Sequence, residues 1–341
     1  MPSFRVIFRQ WFAKFSRLLQ VKEALLFFVM SCLYVAPRLA KGERSLNAPN
    51  TPLANFGSLT PQSTIVMLPH PPSRQENLKI IITRPQEVGI YPLILWSHGV
   101  TSTPDVYPSL IDYWVSHGYI VIAPRHRDSR EIPEDTRAYS FENWQERPQE
   151  VSFILDQLPI IGSIVPDLVN KIDLRHVAAG GYSFGGQMAL LLAGAGQKEN
   201  LDFKDNRIQA VIAISPAGPR DFFHPSSFTT IDTPLLVSAG TRDTAKYPDR
   251  LLGQGWRWHT SPYFFAKGGD KYLAVATLAQ HDYDGIEKVS AGQESPYVQA
   301  LQMLTLDFLN VYLKDDRAAK FALSPLPVFT TTCGIIRFFK R

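Results

Sequence analysis

The chain has 341 residues, 45% of them apolar and 19% charged, which is enough hydrophobic surface to offset chain ordering and excludes a disordered or collagen-like protein. That length fits one large domain with appendages. The net charge of +4 resides at the N-terminus, where Arg5, Arg9, Lys14, Arg17, Lys22, Arg38, Lys41 and Arg44 face only Glu23 and Glu43; the remainder is slightly acidic, which argues against a nucleic-acid partner.

Residues 1–45 form the first unit. Phe4, Phe8, Trp11, Phe12, Phe15, Leu18 and Leu19 recur at helical spacing with most basic residues on other faces, the pattern of an interfacial membrane helix. The uncharged run Ala24 to Ala36 follows; it is too short to span a bilayer and falls in the range of a signal-peptide apolar region. Neither Tyr34-Val35-Ala36 nor Arg38-Leu39-Ala40 makes a good cleavage site, and Val29-Met30-Ser31-Cys32 faintly resembles a lipoprotein box. A cleaved leader, an uncleaved anchor, lipidation at Cys32, a mis-chosen start and a helix packed on the domain all stay open. The expectation is export, periplasmic or secreted, or membrane association, with a membrane surface as partner.

Residues 46–62, rich in Asn, Pro, Ser and Gly, read as a linker, and the domain is expected over 63–323. Eight short apolar runs predict strands: Thr64 to Leu68, Leu78 to Thr83, Leu93 to Ser97, Tyr119 to Ala123, His176 to Gly180, Ala210 to Ser215, Leu235 to Ala239 and Tyr272 to Ala276. Several are continuous aliphatic runs, as strands covered on both faces require. Helical patterns over Val106 to Ser116, Pro148 to Leu158, Phe184 to Ala195 and Pro296 to Lys314 alternate with the later strands. The order predicts an α/β fold with a mainly parallel eight-stranded sheet flanked by helices. Long connections at Arg125 to Arg147 and Thr244 to Gly269 leave carboxyl ends of strands, where such sheets place ligands. The tail, 324–341, reads as a frayed end, with a weak second membrane contact as the alternative.

The chemistry centres on Gly181-Tyr182-Ser183-Phe184-Gly185, between a predicted strand and a predicted helix. A turn this sharp needs small residues beside a serine that projects above the sheet at a helix N-terminus. A serine hydroxyl needs a base, and a histidine base needs an orienting carboxylate. Asp243 follows the run Leu235 to Ala239 and His281 follows Tyr272 to Ala276, in the chain order this elbow uses. His117, His259, His126, His70 and His224 read as poorer bases from their positions, His259 because it sits away from a strand end. Oxyanion donors are expected from the Phe184 N–H and, after Ser97-His98-Gly99, from the Val100 N–H, with His98 in a structural role. Trp256, Trp258, Tyr263 and Phe264 are candidate substrate contacts, with cap or core packing as the competing role. Cys32 and Cys333, at opposite ends, make no disulfide framework and no Cys/His metal spacing, so no metal site is expected.

These motifs, with Trp114 to Ser129 (WVSHGYIVIAPRHRDS), resemble the α/β-hydrolase superfamily. Within it the chain from about Leu78 to Lys314 resembles the platelet-activating-factor acetylhydrolase-like group, including predicted dienelactone hydrolases and cutinase-like polyester hydrolases. The resemblance implies a serine esterase that needs no cofactor, forms an acyl-enzyme and takes a small-molecule or lipid ester. Two features depart from it: Ser183 stands where true dienelactone hydrolases use cysteine, and Ser215-Pro216 stands where the animal acetylhydrolases carry their acid. An acyltransferase with the same triad and a non-catalytic membrane-tethered binding protein are the alternatives.

Overall fold

The computed structural model describes residues 54–132, 141–168, 170–220, 223–244, 255–287 and 293–341. Residues 1–45 and residues 46–53 of the expected linker lie outside the described residues. No described helix is long and apolar enough to cross a membrane.

The sheet has nine strands: β1 (Pro61–Leu68), β2 (Leu78–Pro85), β3 (Tyr91–Ser97), β4 (Ile120–Pro124), β5 (Ile172–Tyr182), β6 (Ile208–Ile214), β7 (Leu235–Gly240), β8 (Lys271–Ala276) and β9 (Ile336–Lys340). Their order is β1-β2-β4-β3-β5-β6-β7-β8-β9. The strands from β4 to β8 in that order run parallel, and β1, β2 and β9 add antiparallel edges. This is the α/β-hydrolase fold, with the strand order reversing at β4-β3-β5.

Helices cover both faces. They are α1 (Pro108–Ser116), α2 (Phe141–Asp156), α3 (Leu158–Ile164), α4 (Phe184–Leu192), α5 (Ser261–Phe265), α6 (Pro296–Lys314), α7 (Arg317–Ala322) and α8 (Pro325–Thr331). Alternation along β3 divides the core. Leu93 and Leu95 join Val151, Ile154 and Met188 on one face; Ile94 and Trp96 join Trp114, Leu301 and Phe308 on the other. With both faces buried, the central strands carry no polar alternation, which is why they read as continuous apolar runs.

All eight predicted strands occur, and three expectations need correction. The first strand begins at Pro61, inside the stretch read as linker, because pairing with β2 extends to Pro61 opposite Pro85. The tail is not frayed: α8 leads into β9, which pairs with β8 and buries Ile336 and Phe338 while Arg337 and Lys340 face out. The sheet therefore has nine strands rather than eight. Helix α2 begins at Phe141 rather than Pro148. A proline inside a helix costs roughly 3 kcal/mol, and here Trp144, Arg147, Val151, Ile154 and Leu155, spaced to share one face, bury against the sheet on both sides of it.

Candidate active site

Strand β5 ends in the tight turn that carries Ser183. Its backbone stands at φ 55° and ψ −117°, a conformation a side-chain-bearing residue adopts only when its surroundings enforce it. Two glycines make the enforcement possible. A Cβ on Gly181 would collide with the Gly185 backbone, and one on Gly185 would collide with the Ser97 carbonyl. The Ser183 N–H donates to Ile214 O at 2.8 Å, which ties the turn to β6. Ser183 thus stands at the head of α4, where unpaired helix N–H groups concentrate positive partial charge.

Asp243 and His281 reach this serine from the ends of two neighbouring strands. Asp243 follows β7 and His281 follows β8. The two loops are laced together: Thr241 N–H donates to Ala276 O, Arg242 N–H to Ala279 O, and Leu278 N–H to Thr241 Oγ1 at 2.7 Å. Gly240 permits the approach, since a Cβ there would strike Ala279 O. His281 Nε2 lies 3.0 Å from Ser183 Oγ, and its Nδ1 lies 2.9 and 3.0 Å from the two Asp243 oxygens. With Nδ1–H donating to the carboxylate, Nε2 presents a lone pair to the serine hydroxyl. Asp243 is buried and the His281 side chain is 42% exposed, so the line of contacts runs from interior to cavity rim. Burial alone would raise the Asp243 carboxyl, but the neighbouring His259 and His281 imidazoles override it and hold it far below the usual carboxylate range.

The expected oxyanion donors flank the serine. Val100 and Phe184 both line a cavity of about 320 Å³ that also contains Ser183, Asp243 and His281. Among the described residues no hydrogen bond engages either N–H. The loop that presents Val100 is held from beneath by buried charge. Arg147 on α2 donates to His98 O at 2.6 Å and makes a two-oxygen pair with Asp128, whose Oδ2 accepts from the Thr101 N–H. Burial would raise the Asp128 carboxyl; the Arg147 guanidinium overrides it and holds it at about 2. The same guanidinium lies 4.6 Å over the Phe184 ring, so one side chain touches both halves of the expected oxyanion pocket. His98 plays the structural part expected of it: Nδ1 bonds Gly99 O at 2.7 Å, Nε2 accepts from the His126 N–H, and burial holds the ring well below the usual histidine range. Below it His126 bonds Glu150, which also pairs with Arg74 at 2.8 Å.

Of the four aromatic residues expected at the cavity, Trp258 lines it, together with Trp144, Gln187, Ala217 and Arg220. The other three do not. Trp256 packs on the core under Arg257, Tyr263 is buried beneath Arg341, and Phe264 is 60% exposed at the surface. They belong to the 3₁₀ turn Gly255–Thr260 and α5, whose short pitch sends successive aromatics in different directions.

One residue set aside from the sequence belongs at the centre. His259 is buried, with Nε2 3.1 Å from Asp243 Oδ1 and Nδ1 2.8 Å from Pro216 O. Distance from a strand end in sequence did not measure distance from the carboxylate, because the 3₁₀ turn folds back over β7. Asp243, His259 and His281 present donor atoms within 4.8 Å of one another, a spacing an ion could use. The ring nitrogens of His281 face Ser183 and Asp243, the arrangement of a proton relay.

Comparison with known proteins places the chain in a family. The chlorophyllase family profile matches residues 55–225, half of the chain. Chlorophyllase type 0 of Chenopodium album is 29% identical over 177 residues, 47% of this chain and 47% of that protein. Chlorophyllase-2 of Arabidopsis thaliana is 27% identical over 196 residues, 53% and 54% of the two chains. The chain thus spans about half the length of the curated relatives it matches. Those findings support the superfamily likeness seen in the motifs; the narrower likeness to acetylhydrolases and dienelactone hydrolases stays a resemblance. With its elbow serine and the loop of Val100 both inside the matched segment, the chain belongs to the chlorophyllase family.

Proposed function

We propose that the protein is a serine hydrolase of carboxylic esters, with Ser183 as nucleophile, His281 as general base and acid, and Asp243 as the orienting carboxylate. The observation that carries this reading is the continuous path from Asp243 through His281 to Ser183 Oγ, with every separation between 2.9 and 3.0 Å. Ser183 Oγ bonds to the acyl carbon as its proton passes to His281 Nε2. The carbonyl oxygen becomes an oxyanion beside the Val100 and Phe184 N–H groups. Collapse breaks the ester C–O bond, and the alcohol leaves with the proton from His281. Water, deprotonated by the same nitrogen, then releases the acid and restores the serine.

Trp144, Phe184 and Trp258 give the cavity an apolar, aromatic wall that suits a hydrophobic ester. Chlorophyll, the substrate in the relatives' names, is one such candidate. The basic, apolar segment of residues 1–45 favours work at a membrane surface, where such esters concentrate. Full-length protein is expected to co-float with anionic vesicles; recovery only from the aqueous fraction at physiological salt would remove the membrane from this reading. For the chemistry, short and long p-nitrophenyl esters and chlorophyll should be turned over by the wild type and not by Ser183→Ala or His281→Ala. Wild-type and Ser183→Ala rates that coincide on every ester would refute it.

A further inference from the structure

His259 is held as deliberately as the triad itself. The 3₁₀ turn that carries it is pinned on both sides: Trp258 Nε1 donates to Pro219 O at 2.7 Å and Ser261 Oγ to Trp258 O at 2.8 Å. Gly218 has no room for a Cβ against the Trp258 carbonyl, so the loop after β6 presses directly on this turn. Pro216, in that loop, takes one nitrogen of the His259 ring and Asp243 takes the other. A backbone carbonyl and a carboxylate only accept hydrogen bonds, so the ring satisfies both when both nitrogens carry hydrogen. Its Nε2 is at bonding distance from Asp243 Oδ1 but not aligned with it as a straight hydrogen bond, and among the described residues it has no other partner. Among the described residues, the side chains that reach the Asp243 carboxylate are these two imidazoles, tilted 39° to each other with ring centroids 5.6 Å apart. His281 bonds both oxygens through one N–H, which leaves the carboxylate free to swing about that bond unless something fixes it from the other side.

We propose that His259 is a positioning residue of the relay: anchored on Pro216 O through Nδ1, it donates from Nε2 to Asp243 Oδ1 and fixes the carboxylate in the plane from which it orients His281. This rests on the serine-hydrolase reading above. His259 touches no reacting atom; it acts through Asp243. The low position of the Asp243 carboxyl fits two donors rather than one.

The test uses the full chain with two substitutions. His259→Phe keeps a flat ring beside Trp258 and His281 and removes the donor; His259→Gln places an amide N–H near the position of Nε2. Expected for His259→Phe is a fall in kcat of about 10- to 100-fold with KM within about twofold, as for loss of a group that orients a catalytic one. His259→Gln should recover kcat to within about fivefold of wild type. The downfield proton resonance of the His281 Nδ1–H bond should persist in wild type and His259→Gln and broaden away in His259→Phe. Wild-type kcat and resonance in His259→Phe would overturn the proposal, as would equal impairment in both variants, which would assign the effect to ring bulk. If His259→Phe does not fold, ¹⁵N-histidine spectra of the wild type decide: a hydrogen-bonded His259 Nε2–H supports the proposal and a bare Nε2 overturns it. Failure of the wild type itself to hydrolyse any ester would count against the hydrolase reading, while the spectra would still judge His259.

Discussion

The two halves of the site are built differently. The nucleophile half, with Ser183, Val100 and the loop between β3 and α1, lies inside the segment that matches the chlorophyllase family. It stands on fully buried polar pairs, Arg147 against Asp128 and Arg74 against Glu150. The relay half, with Asp243, His259 and His281, lies beyond that segment and hangs from the ends of β7 and β8 by backbone hydrogen bonds and two imidazoles. In the first half position is secured by buried pairs away from the cavity; in the second it is secured by the carboxylate and imidazoles of the proposed relay. Stability and activity should therefore separate.

The sharpest separation is Asp243→Asn. It should lower kcat by roughly 10⁴-fold through loss of the correct imidazole tautomer, while the protein stays folded and gives up only the stability that the ionised Asp243 carboxylate contributes. A large loss of stability would break the comparison. Arg147→Met should behave in the opposite sense, because it leaves Asp128 buried without its partner. Urea denaturation should show a loss of about 3–5 kcal/mol, with kcat reduced in whatever protein remains folded as the Val100 loop loosens.

Next comes pH, where the halves have opposite signs. Burial pushes the Glu150 carboxyl up to about 7 from an ordinary value of 4.5, so the folded state holds a proton that the unfolded state gives up across that window. Its contribution is complete below pH 4.5 and is lost as pH rises to about 7, by at most about 3 kcal/mol. Asp243, held below its ordinary 3.8, contributes stability that is present above that pH and lost as the solution is made more acid. Glu150→Gln should flatten the stability profile between pH 4.5 and 7, while Asp243→Asn should flatten it only below 3.8. Denaturation midpoints across pH measure both; an unchanged slope in Glu150→Gln would remove the first sign.

The smallest effect is expected at Gln187, one turn beyond Ser183. Its amide is fully buried, and neither its oxygen nor its nitrogen has a partner among the described residues. Replacing an unpaired amide by a chain of similar volume is close to neutral or favourable. Gln187→Leu should hold or raise the thermal midpoint, and a fall of several degrees would show that the amide is satisfied by something not yet seen.

Much of this was legible in the sequence because it is local. Strand, glycine, serine, glycine and helix are contiguous, and Asp243 and His281 each follow an apolar run that could only be a central strand. The parallel core was legible for the same reason. What escaped depends on long-range packing. His259 lies 16 residues past Asp243 and meets it only because the chain folds back over β7. Arg147 looked like the end of a charged connection, since Pro148 resembles a helix start, and its burial depends on Asp128 across the loop. The last strand was hidden by its length: Ile336 and Phe338 alternate with Arg337 and Phe339, but a run this short becomes a strand only when an edge such as β8 is there to receive it. Trp256, Tyr263 and Phe264 were misplaced because aromatic density says nothing about direction.

The most direct measurement of the central claim is peptide mapping by mass spectrometry after treating the full chain with a fluorophosphonate. Such a reagent bonds to a serine only where a base and an oxyanion pocket activate it. A single adduct on the peptide containing Ser183, absent from His281→Ala, is the result the geometry predicts. A folded wild-type protein that stays unmodified at Ser183 would contradict it.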